Sequence, residues 1–142
     1  MTLNINLAIT DDDILSCFPA YKELRLDLSD EKNFLKQVRN QQTEGFKLIY
    51  IKGTEFADAC VGYRVFDTLS WGKIIYVDDL ITRECARGKG YANILFQYID
   101  EQAKILSCNE IHLDTGYHRH DAHRFYLKNG FKLICHHLSK KV

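Results

Sequence analysis

Between Lys73 and Leu106 the hydrophobic pattern changes period once, and the change falls on a loop of two glycines and two cations. Lys73-Ile74-Ile75-Tyr76-Val77-Asp78-Asp79-Leu80-Ile81-Thr82 is a β-branched run of the kind a central strand needs. Ala92, Leu95, Phe96, Ile99, Ala103 and Leu106 then recur at the i+3, i+4, i+7 spacing of an amphipathic helix. Arg87-Gly88-Lys89-Gly90-Tyr91-Ala92 joins the two. Strand, basic turn and long helix in that order constrain the chain to an α/β fold.

The remaining segments fit around this unit. Leu3, Ile5, Leu7 and Ile9 alternate as in a strand, and Thr10 with Asp13 reads as a capping box opening a helix that carries Ile14, Phe18, Tyr21 and Leu24 or Arg25. Ser29 is the expected cap of a second helix with Phe34, Leu35 and Val38, ending near Gly45. Phe46 to Val65 reads as a hairpin, Leu48–Ile51 and Ala59–Tyr63 around the turn-like Lys52-Gly53-Thr54-Glu55. Beyond the long helix come a strand at Ile111–Asp114, a helix from Asp121 to Asn129 stopped by Gly130, and a strand from Phe131 to Leu138. The predicted order is β-α-α-β-β-β-α-β-α-β. No linker, repeat or charge block divides it, so residues 1–142 read as a single domain with a mixed sheet.

The 142 residues suffice for one core with its own cleft, and 46% hydrophobic with 27% charged residues is globular composition. A formal net charge of zero supplies no field for nucleic acid or an anionic membrane. Five scattered cysteines, none in a C-x-x-C pair, disfavour a disulfide framework and a zinc ribbon and point to a reducing, cytoplasmic setting. No basic n-region with a long apolar stretch opens the chain, and no apolar run is long enough to span a bilayer.

Arg87 to Ala92 sits where unpaired backbone N–H groups and the helix dipole make an anion site. The glycines allow close approach, and Arg87 and Lys89 add charge. A dinucleotide fingerprint would need glycine in place of Asn93, and a Walker loop would need Ser or Thr in place of Gly90. Both nucleotide readings fail on these residues.

The R-x-x-G-x-A spacing follows the strand through Asp79-Leu80-Ile81-Thr82, and about thirty residues later comes Ala122-His123-Arg124-Phe125-Tyr126-Leu127-Lys128-Asn129-Gly130-Phe131. This set resembles the GCN5-related N-acetyltransferase (GNAT) superfamily, and the element order extends the resemblance over nearly the whole chain. The resemblance implies a mostly antiparallel central sheet flanked by helices, and acetyl-CoA as cosubstrate. It implies that Arg87, Gly88, Lys89, Gly90, Tyr91 and Ala92 hold the pyrophosphate, and that the backbone of Leu80, Ile81 and Thr82 pairs with the pantetheine arm. A backbone N–H near Leu80 or Ile81 would face the thioester carbonyl. Tyr126 would stand by the sulfur as general acid or hydrogen-bond donor. A phenol near pKa 10 gives its proton to a thiolate near 8.5 only at a cost of about 2 kcal/mol, so stabilising the leaving thiolate suits it better than protonating it.

An amine arriving as ammonium must lose a proton before attack, which asks for a carboxylate on the acceptor side. Asp78, Asp79 and Asp114 are the candidates. Neighbours on a strand point to opposite faces, so Asp78 and Asp79 share a face only if a bulge intervenes; Asp79 is preferred as base for its closeness to the cofactor-pairing stretch. Tyr21, Arg25 and the Leu69-Ser70-Trp71-Gly72 turn are expected to shape the acceptor pocket for a small-molecule or peptide amine, and a homodimer is left open. Where many relatives carry asparagine three residues before the alanine of the last helix, this chain has Arg119, so that contact does not transfer. Two competing readings remain at this stage: a non-catalytic acyl-CoA-binding module, and a metal hydrolase built on His118, His120, Asp121 and His123. The hydrolase pattern needs an aspartate where Ala122 stands, so no metal is expected.

Overall fold

The computed structural model describes residues 5–142. The chain divides into one compact unit that ends at His112 and a second from Leu113 to Val142.

In the first unit β1 (Ile5–Leu7) leads into α1 (Asp11–Ser16), α2 (Phe18–Leu24) and α3 (Glu31–Thr43); the expected strand start at Leu3 lies outside the described residues. The capping box forms as read: Thr10 Oγ1 accepts from the Asp13 N–H at 3.1 Å and Asp13 Oδ2 accepts from the Thr10 N–H at 2.9 Å. The Tyr50 hydroxyl donates to the other oxygen of Asp13 at 2.8 Å. The single helix expected from Ile14 to Leu24 is two. Pro19 has no N–H for the Leu15 carbonyl, so α1 stops at Cys17 and α2 restarts with proline in its first turn. The cap of α3 is Asp30 rather than Ser29, because its carboxylate reaches the Asn33 N–H at 2.7 Å while Ser29 takes only the Asn33 side chain. Gly45, at φ 93°, closes α3 in a Schellman turn that turns the chain into the next strand.

Then follow β2 (Lys47–Lys52), β3 (Ala57–Thr68) and β4 (Gly72–Thr82), with each of the pairs β1–β2, β2–β3 and β3–β4 antiparallel. β3 runs three residues past the expected Val65, making a long hairpin with β4 around Leu69-Ser70-Trp71. A short 3-10 turn, Glu84–Ala86, precedes α4 (Tyr91–Ile105), and β5 (Glu110–Leu113) takes its place beside β4. The sheet order is β1-β2-β3-β4-β5.

α2 packs on β3 and β4, and α4 packs on the same strands through the buried Leu95, Phe96 and Ile99. The helices α1–α3 close over Leu48, Tyr50, Cys60 and Ile81 with Ile14, Tyr21, Phe34 and Val38. Strand residues of one parity, among them Cys60, Gly62 and Ile81, therefore belong to the α1–α3 face.

The second unit holds α5 (His120–Lys128), one residue earlier at each end than expected, with Gly130 at φ 89° in a Schellman turn. The order runs as read from β4 onward to α5. Residues 131–142, where alternation predicts a last strand, carry no strand assignment, and Leu133 and Leu138 lie almost fully exposed. Alternation supplies a face but not a partner.

Candidate active site

The β3–β4 ladder pairs Ala59 with Thr82, Cys60 with Ile81, Val61 with Leu80 and Gly62 with Asp79, and then jumps to pair Tyr63 with Val77. Asp78 is the extra residue of a β-bulge. Without it Asp78 and Asp79 would face opposite sides. With it, both carboxylates belong to the α1–α3 face. Asp79 lies opposite Gly62 of that face and forms an ion pair with Arg25, at the C-terminal cap of α2. Asp78 accepts from Nε and Nη2 of Arg64 on β3, at 3.1 and 2.6 Å, both bonds landing on Oδ2.

The floor of this site is tightly filled. A Cβ on Gly62 would come within 2.6 Å of the Phe46 ring and 2.8 Å of the Tyr21 hydroxyl. Tyr21 is buried, and its hydroxyl has no hydrogen-bond partner of ordinary geometry; Asp78 Oδ1 is likewise buried and unpartnered. Burial pushes the Asp79 carboxyl above the ordinary carboxylate range, with Asp78 adding to the shift and Arg25 and Tyr21 opposing it. Burial, then the neighbouring Asp79 charge, pushes the Tyr21 phenol up.

Downstream of Asp79, Leu80 to Thr82 are paired with β3 along one edge. On the other side β5 starts beside Lys73, where the Asn109 N–H donates to the Lys73 carbonyl at 2.7 Å. Its four residues cannot reach Leu80, seven positions along β4, so that edge of Leu80–Thr82 is left by β5 for another strand-like group. Arg83 is anchored by its N–H on the Asp58 carbonyl at 2.9 Å and faces Glu23, which also accepts from the Glu84 N–H at 2.8 Å. The basic loop follows. Gly88 and Gly90 sit at φ 83° and 78°, and a Cβ on either would meet nothing within 4 Å. Glycine is required there by the left-handed backbone, and the space above it is clear. Gly90 is the N-cap of α4 and gives no side-chain bond to the first-turn amides, which an incoming anion can therefore take. Arg87 rests its Nε on the Thr82 carbonyl at 3.4 Å, and Lys89 lies 5.9 Å from the centre of the Tyr91 ring.

The turn at Leu69-Ser70-Trp71-Gly72 is at the other end of β4, about 20 Å of strand from Asp78. Tyr21 and Arg25 are brought to Asp79; that turn is not. Arg64 carries no signal in the sequence, since only the hairpin register, which pairs it with Tyr76, brings its side chain within reach of Asp78.

Within the second unit, the Asp114 carboxylate meets His137 Nδ1 at 3.1 Å. Tyr126 is half-buried, with its ring 5.6 Å from that of Phe125 and 5.7 Å from that of Phe131. Burial pushes its phenol above the usual value, and the Arg119 cation opposes the shift. His123 Nε2 lies 2.7 Å from the Gly116 carbonyl oxygen, which draws that ring away from a shared ligand set with His120, 6.1 Å off. Among the described residues no group of three or more His, Cys, Asp or Glu converges as metal ligands, and no helix is long and apolar enough to cross a membrane.

Solved structures share this fold from end to end. A transcriptional regulator from Bacillus halodurans C-125 superposes with a TM-score of 0.86 at 20% identity, covering 99% of this chain and 100% of that one. A ribosomal-protein-alanine N-acetyltransferase from Brucella melitensis biovar Abortus 2308 does so at 0.83 and 14% identity, covering 99% and 100%. These likenesses show the fold, a mixed α/β sheet flanked by helices. The model of the Acetyltransferase (GNAT) family matches residues 8–131. The Bacillus subtilis (strain 168) protein named Uncharacterized N-acetyltransferase YhdJ is 29% identical over 126 residues, 88% of this chain and 89% of that protein. The chain belongs to the GNAT acetyltransferase family, and it is an acyltransferase.

Proposed function

We propose that this protein is an acetyl-CoA-dependent N-acetyltransferase that moves the acetyl group to a primary amine by direct attack in a ternary complex, without an acyl-enzyme. The observation that carries the reading is the uncapped N-terminus of α4 behind two left-handed glycines with clear space above them. Such a loop, flanked by Arg87 and Lys89, fits a pyrophosphate, and the edge of Leu80–Thr82 that β5 leaves fits an extended amide-bearing arm. Acetyl-CoA supplies the acetyl group already activated as a thioester.

The chain's own groups divide the remaining work. Asp79, with its carboxyl held above the usual range by burial, takes the proton that the acceptor ammonium must shed. An amide N–H near Leu80 or Ile81 is the fixed donor toward the carbonyl oxygen. Tyr126 donates a hydrogen bond to the departing sulfur; its raised phenol suits a donor that keeps its proton. Asp78, Tyr21 and Arg25 form the acceptor side, and the family resemblance gives Asp114 a substrate-binding role. Cys85 and Cys135, both exposed, occupy no motif position and are given no covalent role. The match over residues 8–131 supports reading both units as one N-acetyltransferase domain, and the reduced cysteines suit a cytoplasmic setting.

Calorimetry with acetyl-CoA, followed by thiol release with amines, polyamines, aminoglycosides and peptide N-termini, tests the assignment. Binding at about one per chain and acceptor-dependent CoA release are expected. Binding without release from any amine would favour a non-catalytic acyl-CoA module. A stable acetyl-cysteine formed at the rate of turnover would overturn direct attack.

A further inference from the structure

The two ion pairs at the bulge are built unevenly. Asp79 and Asp78 have side chains only 11% and 13% exposed, whereas Arg25 and Arg64, which cover them, are 49% and 39% exposed. A molecule approaching from solvent meets guanidinium first and carboxylate second. Each arginine has five N–H donors. Arg25 commits Nη2 to Asp79 and Arg64 commits Nε and Nη2 to Asp78, which leaves a planar donor edge on each for another acceptor. Two buried groups on the same face are incompletely paired: Asp78 Oδ1 has no hydrogen-bond partner, and the Tyr21 hydroxyl, which faces Asp79, has none of ordinary geometry. Buried polar atoms of this kind are costly unless a ligand or water completes them.

We infer that the acceptor is an amine bearing an anionic group close to its nitrogen, a carboxylate or a phosphate, with the anion read by Arg25 and Arg64 and the nitrogen received by Asp78 Oδ1 and the Tyr21 hydroxyl. The inference rests on the acetyltransferase reading above and narrows its acceptor. The charges support it: two cations and two carboxylates give the site a formal charge of zero, which matches a dipolar acceptor. A polyamine would bring several positive charges to a rim already lined by two guanidinium groups, and like charges at close quarters disfavour it. Arginine also suits planar, two-pronged recognition of carboxylate or phosphate better than lysine does.

The test compares matched acceptors. L-lysine and L-phenylalanine are set against cadaverine and phenethylamine, phosphoethanolamine is set against ethanolamine, and spermidine serves as the polycation. CoA release gives kcat/KM for each, and calorimetry with acetyl-CoA reports separately on the cofactor site. Within at least one matched pair the anion-bearing member should exceed its partner about tenfold or more; whether the carboxylate or the phosphate pair shows it identifies the anion. Arg25→Gln and Arg64→Gln should each cut that ratio by about tenfold to hundredfold, the span expected for loss of a charge-assisted hydrogen bond, with acetyl-CoA affinity retained as proof of folding. Preference for spermidine or for the anion-free partners, no turnover of any anion-bearing probe by an enzyme that binds acetyl-CoA, or a ratio unmoved in both arginine variants would overturn the inference. Failure of the wild-type protein to bind acetyl-CoA would bring down the cofactor reading, and this inference with it.

Discussion

Asp78 and Asp79 are consecutive in the chain yet serve the same face of the sheet, because Gly62 pairs with Asp79 and Tyr63 with Val77, leaving Asp78 as the residue over. The bulge gives the chain two carboxylates side by side, each with its own arginine, where an unbroken strand would offer one.

Removing the carboxylate at Asp79→Asn should lower kcat by about 10²-fold or more, the usual scale for a general base, and should abolish the acid limb of the kcat profile. Arg25→Gln should shift that limb instead. The guanidinium favours the charged form of Asp79, so without it the carboxyl titrates higher and the limb moves to higher pH. A limb that stays in place in Arg25→Gln, or survives in Asp79→Asn, assigns the base elsewhere.

The pyrophosphate loop is probed by Arg87→Ala, which should cost about 1.5 to 3 kcal/mol of acetyl-CoA binding, and by Gly90→Asp, which should cost more. The second change forces an L side chain into a backbone at φ 78° and sets a carboxylate against the phosphates. Calorimetry on the folded variants reads both; unchanged affinity in each would move the cofactor elsewhere.

Tyr126→Phe keeps the ring that meets Phe125 and Phe131 and removes only the hydroxyl. Acetyl-CoA affinity and melting temperature should hold while kcat and kcat/KM fall together, by about 10²-fold. Full turnover in this variant would reduce Tyr126 to a packing residue.

Gly62→Ala places a methyl against Phe46 and the Tyr21 hydroxyl, an overpacking that should cost about 1 to 3 kcal/mol of stability. Thermal unfolding measures it, and a variant as stable as wild type would mean that the floor of the site is looser than its contacts imply.

Much of this architecture was legible in the residues because period and punctuation agree. Helix α4 is marked by its apolar spacing and by the glycines before it, and α1 by Thr10 and Asp13. The break at Pro19 was also written in the chain, but a continuous apolar face across it masked the missing N–H. The bulge left a weaker trace: β4 shows only two adjacent acids, and its one companion signal, Gly62, is on the neighbouring strand. Arg64 became meaningful only through the register that sets it near Asp78. Phe131, Leu133 and Cys135 alternate as a strand does, but residues 131–142 carry no strand assignment, since alternation does not name a pairing partner.

Asp13 offers a test of stability against pH. Its carboxyl is lowered to about 2, first by the Thr10 amide and further by Ile9 and Tyr50. A depressed carboxyl stabilises the fold above its unfolded value near 3.8 and loses that effect as pH falls toward 2, since the unfolded chain binds the proton first. Asp13→Asn should cost about 1 kcal/mol at neutral pH and flatten the decline between about pH 4 and 2. Equal slopes in the two proteins would remove Asp13 from the acid transition.

The same carboxylate caps the start of α1 and accepts from the Tyr50 hydroxyl of β2, so α1 cannot fray from its first turn without releasing a hydrogen bond to the sheet. A six-residue helix is too short to persist in water by itself. Its amides should therefore exchange with solvent at the rate of the β2 ladder, as one opening unit, rather than at the fast rate of a surface turn.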